Sequence, residues 1–176
     1  MIIPLGSEYL ELIAVVDDDE AQVSPRSRRV LQAVAAGETF VTWAVRTEDL
    51  DATREHLLAS GLRLPPVEAG SRRRPDGSML QWRTQALEPG SAAGVLPFCI
   101  EWNTPPAAHP GRMPVTQPAR ADGIASVTIG HPEPETTESR LHDLLGDAVP
   151  LTVERASQPG LVAVEVRVPD GKLTIR

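Results

Sequence analysis

Two strand-to-helix junctions of the same design constrain this chain more than any other feature. AVRTEDLDATREHLLASG runs from Ala44 and TIGHPEPETTESRLHDLLG from Thr128. Aligned, they set Val45 opposite Ile129, Thr53 opposite Thr137 and Leu57 opposite Leu141, with the closing Gly61 and Gly146 one residue out of step. In each, a strand-like run gives way to leucines at helical spacing, with acids in the first turn and a glycine past the last. Three further strand-like runs follow each helix. The chain therefore predicts an α+β fold of two β-α-β-β-β units, 39–103 and 123–176, joined by a 104–122 linker that holds five prolines. Identity between the copies is low, so the repeat is one of architecture.

Within the first unit the expected elements are a strand over Thr39–Thr47 and a helix over 49–60 capped by Thr47. Next come a short edge strand over 62–68, kept to the edge by Pro65-Pro66, and a basic loop over 71–77. Strands Met79–Leu87 and Leu96–Asn103 complete it. In the second unit the strands are 124–130, 151–156, 161–168 and 172–176, around a helix over 133–145 with Leu141, Leu144 and Leu145 inward. Ahead of both, Ile2–Leu5 and Tyr9–Val16 read as a hairpin about Gly6-Ser7 within residues 1–20, its second strand apolar on both faces and so central. Asp17 to Glu20 reads as a solvated turn, lacking the alternating ligands and glycine of a calcium loop. Residues 21–38 hold a connecting helix opened by Ser24-Pro25 and closed by Gly37, with Val30, Leu31 and Val34 as its apolar stripe. The hairpin has the form of the last two strands of a unit whose leading strand, helix and second strand are missing. Its open edge calls for cover from the last unit, from a second chain in a homodimer, or from residues further upstream in the natural protein.

A formal charge of −7 argues against a nucleic-acid footprint, and no run approaches the ~20 apolar residues of a membrane span. The N-terminus lacks the basic start and small-residue cleavage pattern of a signal peptide, so a cytoplasmic protein is expected. Cys99 is the single cysteine and excludes an internal disulfide. Lys172 is the only lysine, a bias that suits a GC-rich bacterial genome. No phosphate-binding glycine loop, nucleophile elbow or HExxH pattern is present.

Two strands carry an acid in an apolar setting: Glu101 in LPFCIEWN (96–103) and Glu11 in YLELIAVV (9–16). A buried carboxylate needs a partner, a proton or a cation. Together they would form a shared polar pocket, as cation ligands or as an acid/base pair. Alternatively each pairs with an arginine such as Arg46 or Arg83, or lies nearer the rim than its apolar setting suggests.

In order along the chain, IIPLGSEYLELIAVVD, WAVRTEDLDATREHLLASGL, SRRRPDGSMLQWR and LPFCIEWNTPPAAHPG resemble the glyoxalase-like domain family of the vicinal oxygen chelate superfamily. The resemblance covers Ile2 to about Gly111 and, more loosely, the last unit. It implies paired βαβββ modules with mixed sheets curled around a cleft, a small-molecule ligand and, in many members, a divalent metal. Glu11 and Glu101 match the last-strand ligand positions of the incomplete N-terminal module and of the 39–103 module. The first-strand histidine of such members has no counterpart in Val41-Thr42-Trp43, and the 123–176 module offers neither ligand. Three functions are open on this reading: a glyoxalase-like lyase, isomerase or dioxygenase using Glu11 and Glu101; a metal-free protein that binds or sequesters a small molecule; and a non-catalytic member.

Trp43, Arg46, Arg73 and Trp82 are the expected substrate contacts. The Arg72-Arg73-Arg74 run would suit an anion through bidentate guanidinium contacts, or be a solvated loop. Core packing accounts for two of Trp43, Trp82 and Trp102, and a cleft-lining indole would favour an aromatic or apolar ligand. His56 and His142 fall on helices and are expected to be exposed; His109, which precedes Pro-Gly in the linker, and His131, which caps a helix start, are expected to be structural, and the four make no metal pattern. Cys99 shares the Glu101 face and reads as a buried apolar residue.

Overall fold

A computed structural model describes residues 1–22, 25–74, 76–87 and 94–176. Strands β1 (Ile2–Leu5) and β2 (Glu8–Glu11) precede helices α1 (Asp18–Ala21) and α2 (Pro25–Ala36). The first module comprises β3 (Ala44–Arg46), α3 (Leu50–Ala59), β4 (Glu68–Arg73), β5 (Met79–Ala86) and β6 (Phe98–Trp102). Two 3₁₀ turns, Pro106–Ala108 and Pro110–Arg112, follow. The second module comprises β7 (Gly123–His131), α4 (Pro134–Leu145), β8 (Leu151–Arg155), β9 (Gly160–Val168) and β10 (Gly171–Ile175). Among these elements, no helix is long and apolar enough to cross a membrane.

In the first module the sheet order is β3-β6-β5-β4, with β3 parallel to β6 and the rest antiparallel. Helix α3 starts where Asp49 accepts the Ala52 N–H, and Thr47 in turn accepts the Asp49 N–H, so the cap is Asp49 with Thr47 behind it. Leu50 and Leu57 are fully buried on Cys99 and join Val127, Ile129, Leu141, Leu144 and Leu151 of the second module. The helix-bearing sides of both modules thus share one core.

Several boundaries differ from the sequence expectation. β3 keeps only three of the nine residues expected, because its partner β6 begins at Phe98, whose N–H reaches the Trp43 carbonyl. The edge strand β4 falls on Glu68–Arg73 instead of 62–68. Pro65 and Pro66 carry no N–H for a ladder, whereas the turn closed by Arg74 and Ser78 aligns Arg73 with Met79. The acidic run forms one helical turn, with the Asp17 carboxylate accepting the Asp19 N–H. On α2, Val30 and Ala33 are buried while Val34 is exposed; Ser24, its expected cap, lies outside the described residues, as does Pro75 of the basic loop.

The second module has the same element order but different pairing, β10-β9-β7-β8. Its leading strand lies between the second and third strands, parallel to β8. The short 146–150 connection returns the chain beside β7, and the Val127 N–H bonds to the Pro150 carbonyl. In the first module the longer 60–67 connection carries β4 to the far edge. A parallel neighbour requires a crossover helix, and both α3 and α4 can supply one; the return loop decides where the strand lands.

The N-terminal hairpin forms its own two-stranded sheet. Its second strand stops at Glu11, short of the expected Val16, and the Leu12 N–H bonds to the Met1 carbonyl just beyond it. Leu12, Ile13 and Val16 are exposed, so the expectation of a central strand gives way to a short edge hairpin. Leu5 packs on Val164 and Val166, with Ile3 and Leu10 alongside. Glu8 accepts the Ile124 N–H, and Gln117 donates to the Pro4 and Ala121 carbonyls. The 104–122 segment is therefore a packed strut, with His109, Pro110 and Gly111 buried under the hairpin.

Candidate functional site

Strand alternation separates the first module's sheet into two faces of different chemistry. Arg83 pairs with Glu101 and Gln85 with Cys99 across β5 and β6, so these four side chains point to the α3 side. Trp82 pairs with Trp102 and therefore points, with its neighbours Leu80 and Ile100, to the opposite side.

On the α3 side Glu101 lies 3.3 Å from Arg83, which also grips Asp51 of α3 at 2.6 and 3.0 Å. The Arg83 hydrogen bond holds the Asp51 carboxyl below the usual carboxylate range. Glu101 is thus the arginine-paired acid that the sequence left as one alternative. Glu11 sits exposed at the end of β2, opposite Ile2. It shares a hairpin face with Tyr9, which meets Trp102, whereas Glu101 leaves β6 on the other face. The structure does not bring the two carboxylates together. A divalent centre draws on three or more protein ligands as a rule, and among the described residues no group of three His, Cys, Asp or Glu side chains converges. These residues do not fit the metal implied for the superfamily.

The opposite face gathers aromatic rings. The chain has two phenylalanines, three tryptophans and one tyrosine, and two of those tryptophans and the tyrosine meet here. Trp82 and Trp102 have centroids 5.5 Å apart at 56°, and Tyr9 reaches Trp102 at 6.3 Å, edge to face. His109 contacts both Trp102, at 5.5 Å, and Tyr9, at 5.9 Å. The Trp82 indole lies over Gly70 of β4, where a Cβ would come within 2.4 Å of the ring. Glycine is what allows the indole to lie flat on the sheet.

His109 Nδ1 accepts the Gly111 N–H at 3.1 Å, which puts the proton of the neutral ring on Nε2. Burial lowers its pKa, helped by the charges of Arg46 and Arg112 and opposed by Glu48. The ring is a neutral wall between two cations.

Arg46 lies opposite Ile100 and Arg72 opposite Leu80, so both belong to the tryptophan face. Arg46 is ion-paired with Glu48 at 2.7 Å. Arg72 is exposed and has no hydrogen-bond or ion-pair partner among the described residues. Arg73 points to the other face and donates to the Gly77 carbonyl at 3.3 Å. Arg74 donates to the Ala108 carbonyl and so ties the β4–β5 turn to the strut. Trp43 packs against the main core, its indole N–H bonded to the Gly94 carbonyl at 3.0 Å.

Of the four expected substrate contacts, then, Arg46 and Trp82 share one face, while Trp43 and Arg73 do not join them. Sequence reasoning weighed Trp102 within the set of three tryptophans and Arg72 within the arginine run, and missed Tyr9 and His109 as their neighbours on this wall. The usable signal was alternation: with Glu101 assigned to one face of β6, Trp102 must occupy the other. Cys99 is buried in the core, as expected, and burial pushes its thiol pKa up to about 11.

The model of a family described as a glyoxalase-like domain matches residues 1–145. Among solved structures, the crystal structure of a hypothetical protein from Staphylococcus aureus aligns with a TM-score of 0.71 at 11% identity. That alignment covers 99% of this chain and 83% of the other, and it is a likeness of fold. No curated protein matches the sequence.

Proposed function

Since the chain belongs to the glyoxalase-like domain family of the vicinal oxygen chelate superfamily, we propose that it binds a planar, anionic small molecule on the tryptophan face of its first module without a metal. The observation that carries this reading is the pairing of a half-buried aromatic wall with an unpartnered guanidinium. Trp82 and Trp102 offer ring surface that no core residue covers completely, and Arg72 stands beside Trp82 on the same face. Aromatic surface binds a flat apolar body, and a guanidinium fork takes a carboxylate or similar group in two parallel hydrogen bonds. In a chain of net charge −7, the exposed Arg72 gives this face a local positive charge. The metal-dependent enzyme reading rests on Glu11 and Glu101, and neither placement favours it.

A titration with 2-naphthoate, followed by tryptophan fluorescence, tests the reading. Quenching should saturate and leave the emission of Trp43 behind. R72Q should weaken binding roughly ten-fold, the worth of one charged hydrogen bond, and W82L should weaken it further. E101Q should leave it unchanged. Absence of saturable quenching, or dependence on Glu101 but not on Trp82, overturns the assignment.

A further inference from the structure

A concave feature lies between the hairpin turn and the end of the strut. It is an open groove of about 400 Å³ whose floor includes Pro4, Gly6 and Gly111. We infer that it is an oxyanion site, built around Arg112 and Arg120, for a doubly charged phosphoryl or carboxylate ligand.

Two backbone approaches hold the walls at fixed separation. A Cβ at Gly6 would stand 3.1 Å from the Asp122 carbonyl, and one at Gly111 would stand 2.3 Å from that of Glu8. Gln117 spends both amide hydrogens on the Pro4 and Ala121 carbonyls and so stitches hairpin to strut across the groove. The scaffold is rigid although the groove is open.

The charges are arranged for an anion. Neither the Arg112 nor the Arg120 guanidinium has a hydrogen-bond or ion-pair partner among the described residues. The acid of the groove, Asp122, faces Arg167 at 3.5 Å and is partly neutralised there. Thr116 adds a hydroxyl donor to the lining. Arg120 also has φ 51°, the one non-glycine residue described with a left-handed backbone. That conformation costs free energy for any residue with a Cβ, and such strain collects at ligand-binding positions. Here it turns the Arg120 side chain to the groove wall at the end of a turn closed by its N–H on the Gln117 carbonyl. Two free guanidiniums on a fixed frame suit a bidentate oxyanion.

The test is isothermal titration of the full chain with pyrophosphate and, separately, citrate, in buffers matched for ionic strength with NaCl. Wild type should bind with one-to-one stoichiometry. R112Q and R120Q should each weaken binding roughly ten-fold, R120K should weaken it less than R120Q because it keeps the charge but loses the guanidinium fork, and W82L should leave it unchanged. Binding of pyrophosphate alone assigns a phosphoryl ligand, and of citrate alone a carboxylate ligand. Heat reproduced by NaCl, or equal binding by the R112Q/R120Q double variant, overturns the site. Should the double variant unfold, the R120K and R120Q pair decides. The W82L control separates failure here from failure of the tryptophan-face reading.

Discussion

Placing a methyl group at Gly70 tests the architecture of the tryptophan face. In Gly70→Ala the new Cβ stands 2.4 Å from Cε2 and Nε1 of Trp82 and 2.6 Å from Cζ2. Carbon atoms rest about 3.5–4 Å apart, so the ring must shift by roughly 1 Å or more. It has little room to do so, because Trp102 stands across the ladder with its centroid 5.5 Å away. Overpacking of this kind costs about 1–3 kcal/mol. For a chain of this length each kcal/mol lowers Tm by roughly 2–4 °C. Urea denaturation of G70A, W82L and the double variant forms a cycle: W82L removes the ring that the methyl strikes, so the cost of G70A should largely vanish in that background. The near-ultraviolet circular dichroism of G70A should also change, since the indole must tilt. Additive effects within about 0.5 kcal/mol would show that the indole does not lie over Gly70, and the ligand wall built on it would fall with it.

Acid should loosen the strut through His109. Its folded pKa lies below the ordinary 6.5 because of burial and the charges of Arg46 and Arg112, with Glu48 opposing. The stabilisation is therefore complete above pH 6.5 and is lost as pH falls through the lowered folded value. Protonated Nδ1 cannot accept the Gly111 N–H, so Tyr9 and Trp102 should separate in the same window. H109N keeps an acceptor near Nδ1 without titrating and should flatten that part of the pH–stability curve; a curve that keeps its shape would contradict the mechanism. Cys99, with its thiol pKa raised to about 11 and its side chain buried, should resist iodoacetamide at pH 8 in the native state and react once urea unfolds the chain. Native-state labelling at the rate of a free cysteine would place it elsewhere.

Element order was legible because it is written in periodicity. The helix leucines Leu57 and Leu141 and the strand alternation around them are local signals, and both modules follow from them. Pairing was not legible. Nothing in the strand sequences says that β7 lies between β8 and β9 while β3 lies at an edge; that difference comes from the return loops 60–67 and 146–150. The strand expected over Tyr9–Val16 failed for a related reason. Val15 and Val16 have the composition of a strand, but strand formation needs a partner, and residues 13–16 pair with no strand among the described residues. For the candidate site, apolar surroundings drew attention to Glu101 and Glu11. Register shows instead that Glu101 is ion-paired with Arg83, and that the residue beside it, Trp102, stands on the opposite face against Trp82. Assigning Arg72 and Arg73 to opposite faces required knowing that the basic run is a strand, which Pro65-Pro66 and the turn at Arg74 determine jointly.

The central claim is that this glyoxalase-like chain presents a ligand surface that works without a metal. Equilibrium dialysis of 2-naphthoate against the purified protein, once with excess EDTA and once with each of Mn²⁺, Ni²⁺ and Zn²⁺ at saturating concentration, measures it directly. The account predicts the same Kd in every chamber and no stoichiometric metal retained by the protein. Binding that appears only with a divalent ion, and that E11Q or E101Q abolishes, would contradict it and return the two carboxylates to the centre of the site.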